Sequence, residues 1–188
     1  MLTMPNFSPQ CDKNIQSMNV LVTGCQGIGL AICENWSGHN VTCVSQSTGH
    51  DINCWSQWIA DFYEFDVFVN NAQSAWCQTE LLIHMADRWR NQPSRTIINI
   101  GSTVASYGKS HGDDREFSQY RNQKRTLQDA FQQLVQQCQC RLILINPGPT
   151  DTDLMQGVAV DKMSVDCVAK YVQLAMDYPE IKRLDIWQ

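Results

Sequence analysis

The chain has 188 residues, 43% of them hydrophobic and 18% charged, with a formal net charge of -5 at pH 7, enough for a single core. Acidic and basic residues are interspersed, so no basic face is offered to a nucleic acid or an anionic membrane, and neither is an expected partner. The nine cysteines are odd in number, scattered and without a CxxC pair, which argues against a disulfide framework or a metal site and predicts reduced, mostly buried thiols in a cytoplasmic protein.

Residues 1–18 are polar, carry Pro5 and Pro9, and lack the apolar stretch of a signal peptide or membrane span; a loose tail is expected ahead of one domain at 19–188. Short runs rich in Val, Ile and Phe predict strands at 19–23, 40–45, 65–70, 95–101 and 141–146, with a shorter one at 184–187. Between them helices are predicted at 27–36, 54–63, 79–90, 126–138 and 164–176, the last with Ser164 as its N-cap. Several strands are apolar throughout, as strands covered on both faces are. This alternation predicts an α/β chain with a Rossmann-like, doubly wound, mostly parallel sheet, helices on both faces, and a ligand crevice at the carboxyl ends of the strands.

Chemistry-bearing residues gather at those ends. Thr23-Gly24-Cys25-Gln26-Gly27-Ile28-Gly29 follows the first strand and opens a helix. Glycines there permit positive φ and close backbone approach to a pyrophosphate, whose charge a helix N-terminus stabilises. Val69-Asn70-Asn71-Ala72 and Ile98-Asn99-Ile100-Gly101-Ser102 close later strands, and Asn146-Pro147-Gly148-Pro149-Thr150-Asp151-Thr152 follows another. Tyr120 and Lys124 stand four apart at the start of the long helix and share one face. An ammonium beside a phenol stabilises phenolate, so the tyrosine pKa is expected to fall toward neutrality.

In this order and spacing the five stations resemble the glycine motif, the Asn-Asn-Ala-Gly motif, the catalytic serine, the Tyr-x-x-x-Lys pair and the Pro-Gly loop of the short-chain dehydrogenases/reductases, over residues 18–188. The resemblance implies an NAD(P)-dependent oxidoreductase that passes a hydride between a nicotinamide and a small carbonyl or alcohol substrate. It makes Tyr120 the general acid/base, Lys124 the residue that binds the nicotinamide ribose and tunes Tyr120, and Ser102 a hydrogen-bonding partner of the substrate oxygen. Gly24, Gly27, Ile28 and Gly29 would surround the phosphates, and Asn71 and Ala72 would line the cofactor. Pro147, Gly148 and Thr152 would meet the nicotinamide carboxamide. Asp51 matches an adenine-contacting aspartate and reads equally well as a solvated loop carboxylate. Assembly as a homodimer or homotetramer is also implied.

The chain departs from that pattern at several points. Only Cys25 and Gln26 stand between Gly24 and Gly27, one residue fewer than the family has, and Gln73 replaces the glycine after Asn71-Ala72. The stretch from Asn71 to Ser102 is shortened, with no equivalent for the family's catalytic asparagine. The polar segment 106–117, which contains His111, is lengthened into a candidate lid or substrate loop. Ser45, Gln46 and Ser47 end the second strand without a carboxylate to favour NAD or a base to favour NADP, a lean toward NADP. The alternative reading is a catalytically inactive dinucleotide-binding sensor or scaffold with the same fold.

Overall fold

The computed structural model describes residues 17–107 and 115–187. Six strands form one sheet: β1 (Asn19–Thr23), β2 (Asn40–Val44), β3 (Val67–Asn70), β4 (Thr96–Ile100), β5 (Arg141–Pro147) and β6 (Arg183–Ile186). They run in the order β2-β1-β3-β4-β5-β6, and every neighbouring pair is parallel. Helices α1 (Ile28–Asn35), α2 (Cys77–Arg88), α3 (Val104–Tyr107), α4 (Arg115–Leu134) and α5 (Val165–Asp177) connect them. This is the Rossmann-like, doubly wound sheet expected from the alternation of elements.

Strand pleating decides which side chain goes to which face. Val20, Val22, Val67, Val69, Ile98, Ile100, Ile143 and Ile145 point to the face covered by α1 and α5, where they meet Ile32, Trp36, Val168 and Val172. Leu21, Phe68, Ile97, Leu142 and Leu144 point the other way, to Leu81, Met85, Trp89, Leu127 and Phe131 of α2 and α4 and to Trp58 and Ile59. Each such fully buried side chain contributes about 1.5–3 kcal/mol. With both faces filled, what remains open is the strands' carboxyl end. The direction of winding reverses at β1, which has β2 on one side and β3 on the other, so the crevice opens where these strands end.

Three expectations are corrected. Residues 54–63 do not form an α-helix: the segment consists of 3-10 turns at Ile52–Gln57 and Ile59–Phe62, and Cys54 breaks the helical path with φ -116° and ψ 26°. Helix α4 spans Arg115–Leu134 rather than the expected 126–138, so Tyr120 and Lys124 lie inside it rather than at its start. The thiols are not mostly buried, for among the described cysteines only Cys140 is, and Cys54 is exposed; all are free. Ser164 caps α5 as expected, accepting a hydrogen bond from the Cys167 N–H. Most of the expected tail, and residues 108–114 with His111, lie outside the described residues. Among the described residues no helix is long and apolar enough to cross a membrane.

Candidate functional site

The site is assembled from the turns that leave the carboxyl ends of the strands. Gly24 and Gly27 take positive φ, 84° and 52°, in the tight turn from β1 into α1. A Cβ on Gly29 would stand 1.8 Å from the Gly24 carbonyl oxygen, so the turn closes only around a glycine. No side chain caps α1, and of its first turn the Gly29 N–H donates to the Gln26 carbonyl at 3.1 Å; a helix start without a capping side chain favours an anion.

Thr23 joins this turn to the end of β3. Its hydroxyl donates to the Val69 carbonyl at 3.3 Å and accepts from the backbone N–H groups of Asn71 and Ala72 at 3.0 and 3.1 Å. Asn71 replies through its side chain, donating Nδ2 to the Thr23 carbonyl at 3.0 Å. Asn71 therefore acts first as a clamp on the glycine turn.

A cleft of about 250 Å³ opens beside this joint, bounded by Gly24, Ser45, His50, Asp51, Trp58 and Ala72 among others. Asp51 stands in its wall, with Oδ1 accepting from the Asn53 backbone and side-chain amides at 2.8 and 2.9 Å; it caps the following 3-10 turn as well as facing the cleft. At the end of β2 the Ser45 and Ser47 hydroxyls are bonded at 2.8 Å. On the other side of the turn, Thr152 Cγ2 lies 3.1 Å from where a Gly27 Cβ would be, which folds the loop after β5 back over the glycines. Pro147 and Gly148 are held more structurally: the Gly148 N–H donates to the Ile186 carbonyl at 2.9 Å and Pro147 accepts from Thr103 N at 3.0 Å. A cradle closed to side chains, an uncapped helix start and a cleft leading off it suit a phosphate-linked dinucleotide.

The second half of the site lies between β4 and α4. Ser102 lies close enough to the Tyr120 phenol to act on its ionisation, and its Oγ accepts from the Val104 N–H at 3.3 Å. Lys124 Nζ stands 5.6 Å from the centre of the Tyr120 ring and donates to Gln78 Oε1 at 2.8 Å and to the Ile100 carbonyl at 3.0 Å. Burial lowers the Lys124 pKa from 10.5 to about 7. Burial also raises that of Tyr120, and the nearby Ser102 hydroxyl offsets this in part. The expected downward shift of the tyrosine is therefore reversed. Its physical reason is burial of the phenol, with a lysine that is only half-charged at pH 7 and points its amine at Gln78 and Ile100.

Gln73 links the two halves. Its Nε2 donates to Gln123 Oε1 at 2.8 Å, and Gln123, 8% exposed, directly precedes Lys124 on α4. Gln78 and Gln123 are functional candidates that residue-by-residue reading of the sequence does not single out. Glutamines are common on this chain's helices, and only the tertiary contact distinguishes these two. Among the described residues no group of His, Cys, Asp or Glu is arranged to hold a metal ion.

No protein-family model matches the sequence, and no curated protein is significantly similar to it. Solved structures are similar in fold. A short-chain dehydrogenase from Burkholderia cenocepacia in complex with NADP aligns at 16% identity and a TM-score of 0.73, covering 94% of this chain and 90% of its own. A short-chain dehydrogenase from Sphingobium yanoikuyae in complex with NADPH aligns at 19% identity and a TM-score of 0.69, covering 89% and 87%. The 3-ketoacyl-(acyl-carrier-protein) reductase from Brucella melitensis, complexed with NADH, aligns at 15% identity and a TM-score of 0.63, covering 90% and 96%. The fold of this chain is that of the short-chain dehydrogenases/reductases.

Proposed function

We propose that this protein is an NAD(P)-dependent oxidoreductase acting on a small carbonyl or alcohol compound, with Tyr120 exchanging the proton with the substrate oxygen. The observation that carries this reading is the gathering of Ser102, Tyr120 and the buried Lys124 on one side of the Gln73–Gln123 bond, whose Gln73 also lines the cleft at the glycine turn. Structures of the same fold that hold NADP, NADPH and NADH support it. A bound nicotinamide supplies or takes up the hydride.

The chain's own residues do the remaining work. The glycine turn and the start of α1 receive the phosphates, while Ser45 and Ser47 offer hydroxyls and no carboxylate to a ribose 2'-phosphate, which leans the reading toward NADP. Ser102 orients the Tyr120 hydroxyl and offers a second hydrogen bond to the substrate oxygen, stabilising charge as it develops there. Free thiols suit a cytoplasmic setting.

One observation favours a second reading, a dinucleotide-binding sensor or scaffold without turnover. The Lys124 amine is already engaged by two protein acceptors, and Gln73 of the cleft wall is tied to Gln123 beside that lysine. Titration of the purified protein with NADPH and NADH, followed by nicotinamide fluorescence and by a carbonyl-reduction screen, separates the two. Saturable binding with turnover abolished by Tyr120→Phe supports the enzyme, binding without turnover supports the sensor, and no binding at millimolar cofactor overturns both.

A further inference from the structure

Gln78 sits in the first turn of α2, is 1% exposed, and uses both the nitrogen and the oxygen of its side-chain amide. Its Nε2 donates to the Asn70 carbonyl at 2.8 Å and to the Ile100 carbonyl at 2.9 Å, and its Oε1 accepts from Lys124 Nζ at 2.8 Å. Asn70 Nδ2 donates back to the Gln78 carbonyl at 2.8 Å. The orientation of the amide is dictated by these neighbours, since two carbonyls demand the NH2 group and an ammonium demands the oxygen. One side chain thus fixes the ends of β3 and β4 and turns its remaining acceptor to the lysine.

We propose that Gln78 is a positioning residue that holds the Lys124 amine against the end of β4, beneath the Tyr120 ring, and thereby sets where the lysine stands relative to the Ser102–Tyr120 pair. The purpose of the lysine rests on the oxidoreductase reading; the grip does not. A glutamine that only stitched strands together would need the two carbonyl contacts and not the third. The third is made to Lys124, the only charged side chain that is buried among the described residues.

The electrostatics around the amine are simple. On α4 the titratable neighbour is Tyr120; on α2 the residues flanking Gln78 are engaged elsewhere, Cys77 with Asn53 and Glu80 with Trp55. From β4 comes the Ile100 carbonyl, and from β3, through Gln78, Asn70. The lowered lysine pKa has burial as its cause, with no charged side chain contributing. A change in the charge or presence of the Gln78 oxygen should therefore be felt directly by the lysine.

The test is a pH titration of the full chain, with lysine labelled with carbon-13 at Cε and the Lys124 resonance identified by its loss in Lys124→Met. We expect Gln78→Glu to strengthen proton binding at Lys124 by about a hundredfold, through the added carboxylate, and Gln78→Leu to weaken it by about tenfold, through the lost acceptor. An unchanged Lys124 titration in both variants overturns the proposal and leaves Gln78 a strand stitch. Should either variant fail to fold, the wild-type protein still decides: nuclear Overhauser contacts between the Lys124 ammonium and the Gln78 side chain are required, and their absence overturns the grip. None of these measurements involves a cofactor. Failure to bind NADPH with the Lys124 shifts intact therefore counts against the oxidoreductase reading alone.

Discussion

Gln73 and Gln123 are joined side chain to side chain at 2.8 Å across 50 residues of sequence, tying the loop after β3 to α4 between the glycine cleft and Tyr120. The same Gln73 amide donates to the Ala75 carbonyl at 3.0 Å, and Ala75 is the non-glycine residue with positive φ, 41°, among those described. A strained loop is thus held against the helix that carries Tyr120 and Lys124.

Replacing Gln73 by glycine removes this clasp and restores bare backbone beside the cofactor cleft. NADPH is expected to bind about five- to tenfold more tightly to Gln73→Gly, since no side chain then has to yield its hydrogen bond. The fold is expected to lose about 1–2 kcal/mol from the unpaired Gln123 amide and the added backbone freedom. Fluorescence titration and urea unfolding check both. Weaker NADPH binding would mean that Gln73 contributes to the cofactor site rather than obstructing it.

Lys124 should leave a mark on stability that follows from its lowered pKa. Between about pH 7 and 10.5 the unfolded chain keeps the lysine proton that the folded chain has released, so the unfolded state binds more protons and stability rises with pH. Below that window both states are protonated and the slope vanishes. Relative to Lys124→Met, the wild-type protein should therefore gain up to about 1.4 kcal/mol per pH unit between pH 7 and 10. Denaturant unfolding at pH 6, 8 and 9.5 measures it. Parallel curves for the two proteins would place the Lys124 pKa near that of an exposed lysine.

The glycine turn makes a sharper prediction. A methyl group at Gly29 would meet a backbone oxygen rather than a side chain that can swing away, so Gly29→Ala must displace the turn. A cost of about 1–3 kcal/mol is expected, together with loss of NADPH binding. A variant that binds NADPH as the wild type does would show that the turn relaxes freely and that its glycines are not shaped for phosphate.

How much of this was legible beforehand depends on the range of the interactions. The strands were, because Val20, Val22, Val67, Val69, Ile143 and Ile145 form short β-branched runs whose alternation is a local property. Four of the five site stations were too, since each of these follows its own strand, whereas Tyr120 and Lys124 lie inside α4. The 54–63 segment misled because Trp55, Trp58, Ile59 and Phe62 recur at helical spacing, yet the backbone bonds from Cys54, Trp58 and Asp61 reach back only three residues. Gln78 was invisible: its partners Ile100 and Lys124 are 22 and 46 residues away, and nothing local distinguishes it from other helix glutamines. The tyrosine pKa departs from the sequence expectation for the same reason, because proximity on a helix fixes which face two residues share and not where an amine points.

The end of β2 should decide the choice of nicotinamide. Ser45 extends the strand, and its side chain faces Ser47 without a carboxylate to receive ribose hydroxyls. Aspartate is as good a helix N-cap as serine, so Ser45→Asp should keep the following 3-10 turn. It is expected to shift the ratio of NADPH to NADH affinity toward NADH by about tenfold or more, through repulsion of the 2'-phosphate. Competitive titration measures the ratio. An unchanged ratio would place the adenosine ribose elsewhere than at this strand end.

The raised pKa of Tyr120 gives its chemistry a direction. A phenol that burial keeps protonated, beside a lysine that carries little charge above pH 7, is a ready proton donor through the neutral range and a poor base there. Carbonyl reduction should therefore hold its rate on the alkaline side of neutrality so far as Tyr120 governs it, whereas alcohol oxidation should climb with pH without levelling off before about pH 10, where an ordinary phenol ionises. Tyr120→Phe should cost reduction about 10²–10⁴-fold in kcat while leaving NADPH affinity within about twofold. Steady-state rates in both directions from pH 6 to 10, with a carbonyl substrate found by the screen and its alcohol, provide the check. An oxidation rate that levels off by pH 8 would mean that the phenolate is stabilised by a charge, and that Lys124 swings away from Gln78 toward the tyrosine once cofactor and substrate are bound.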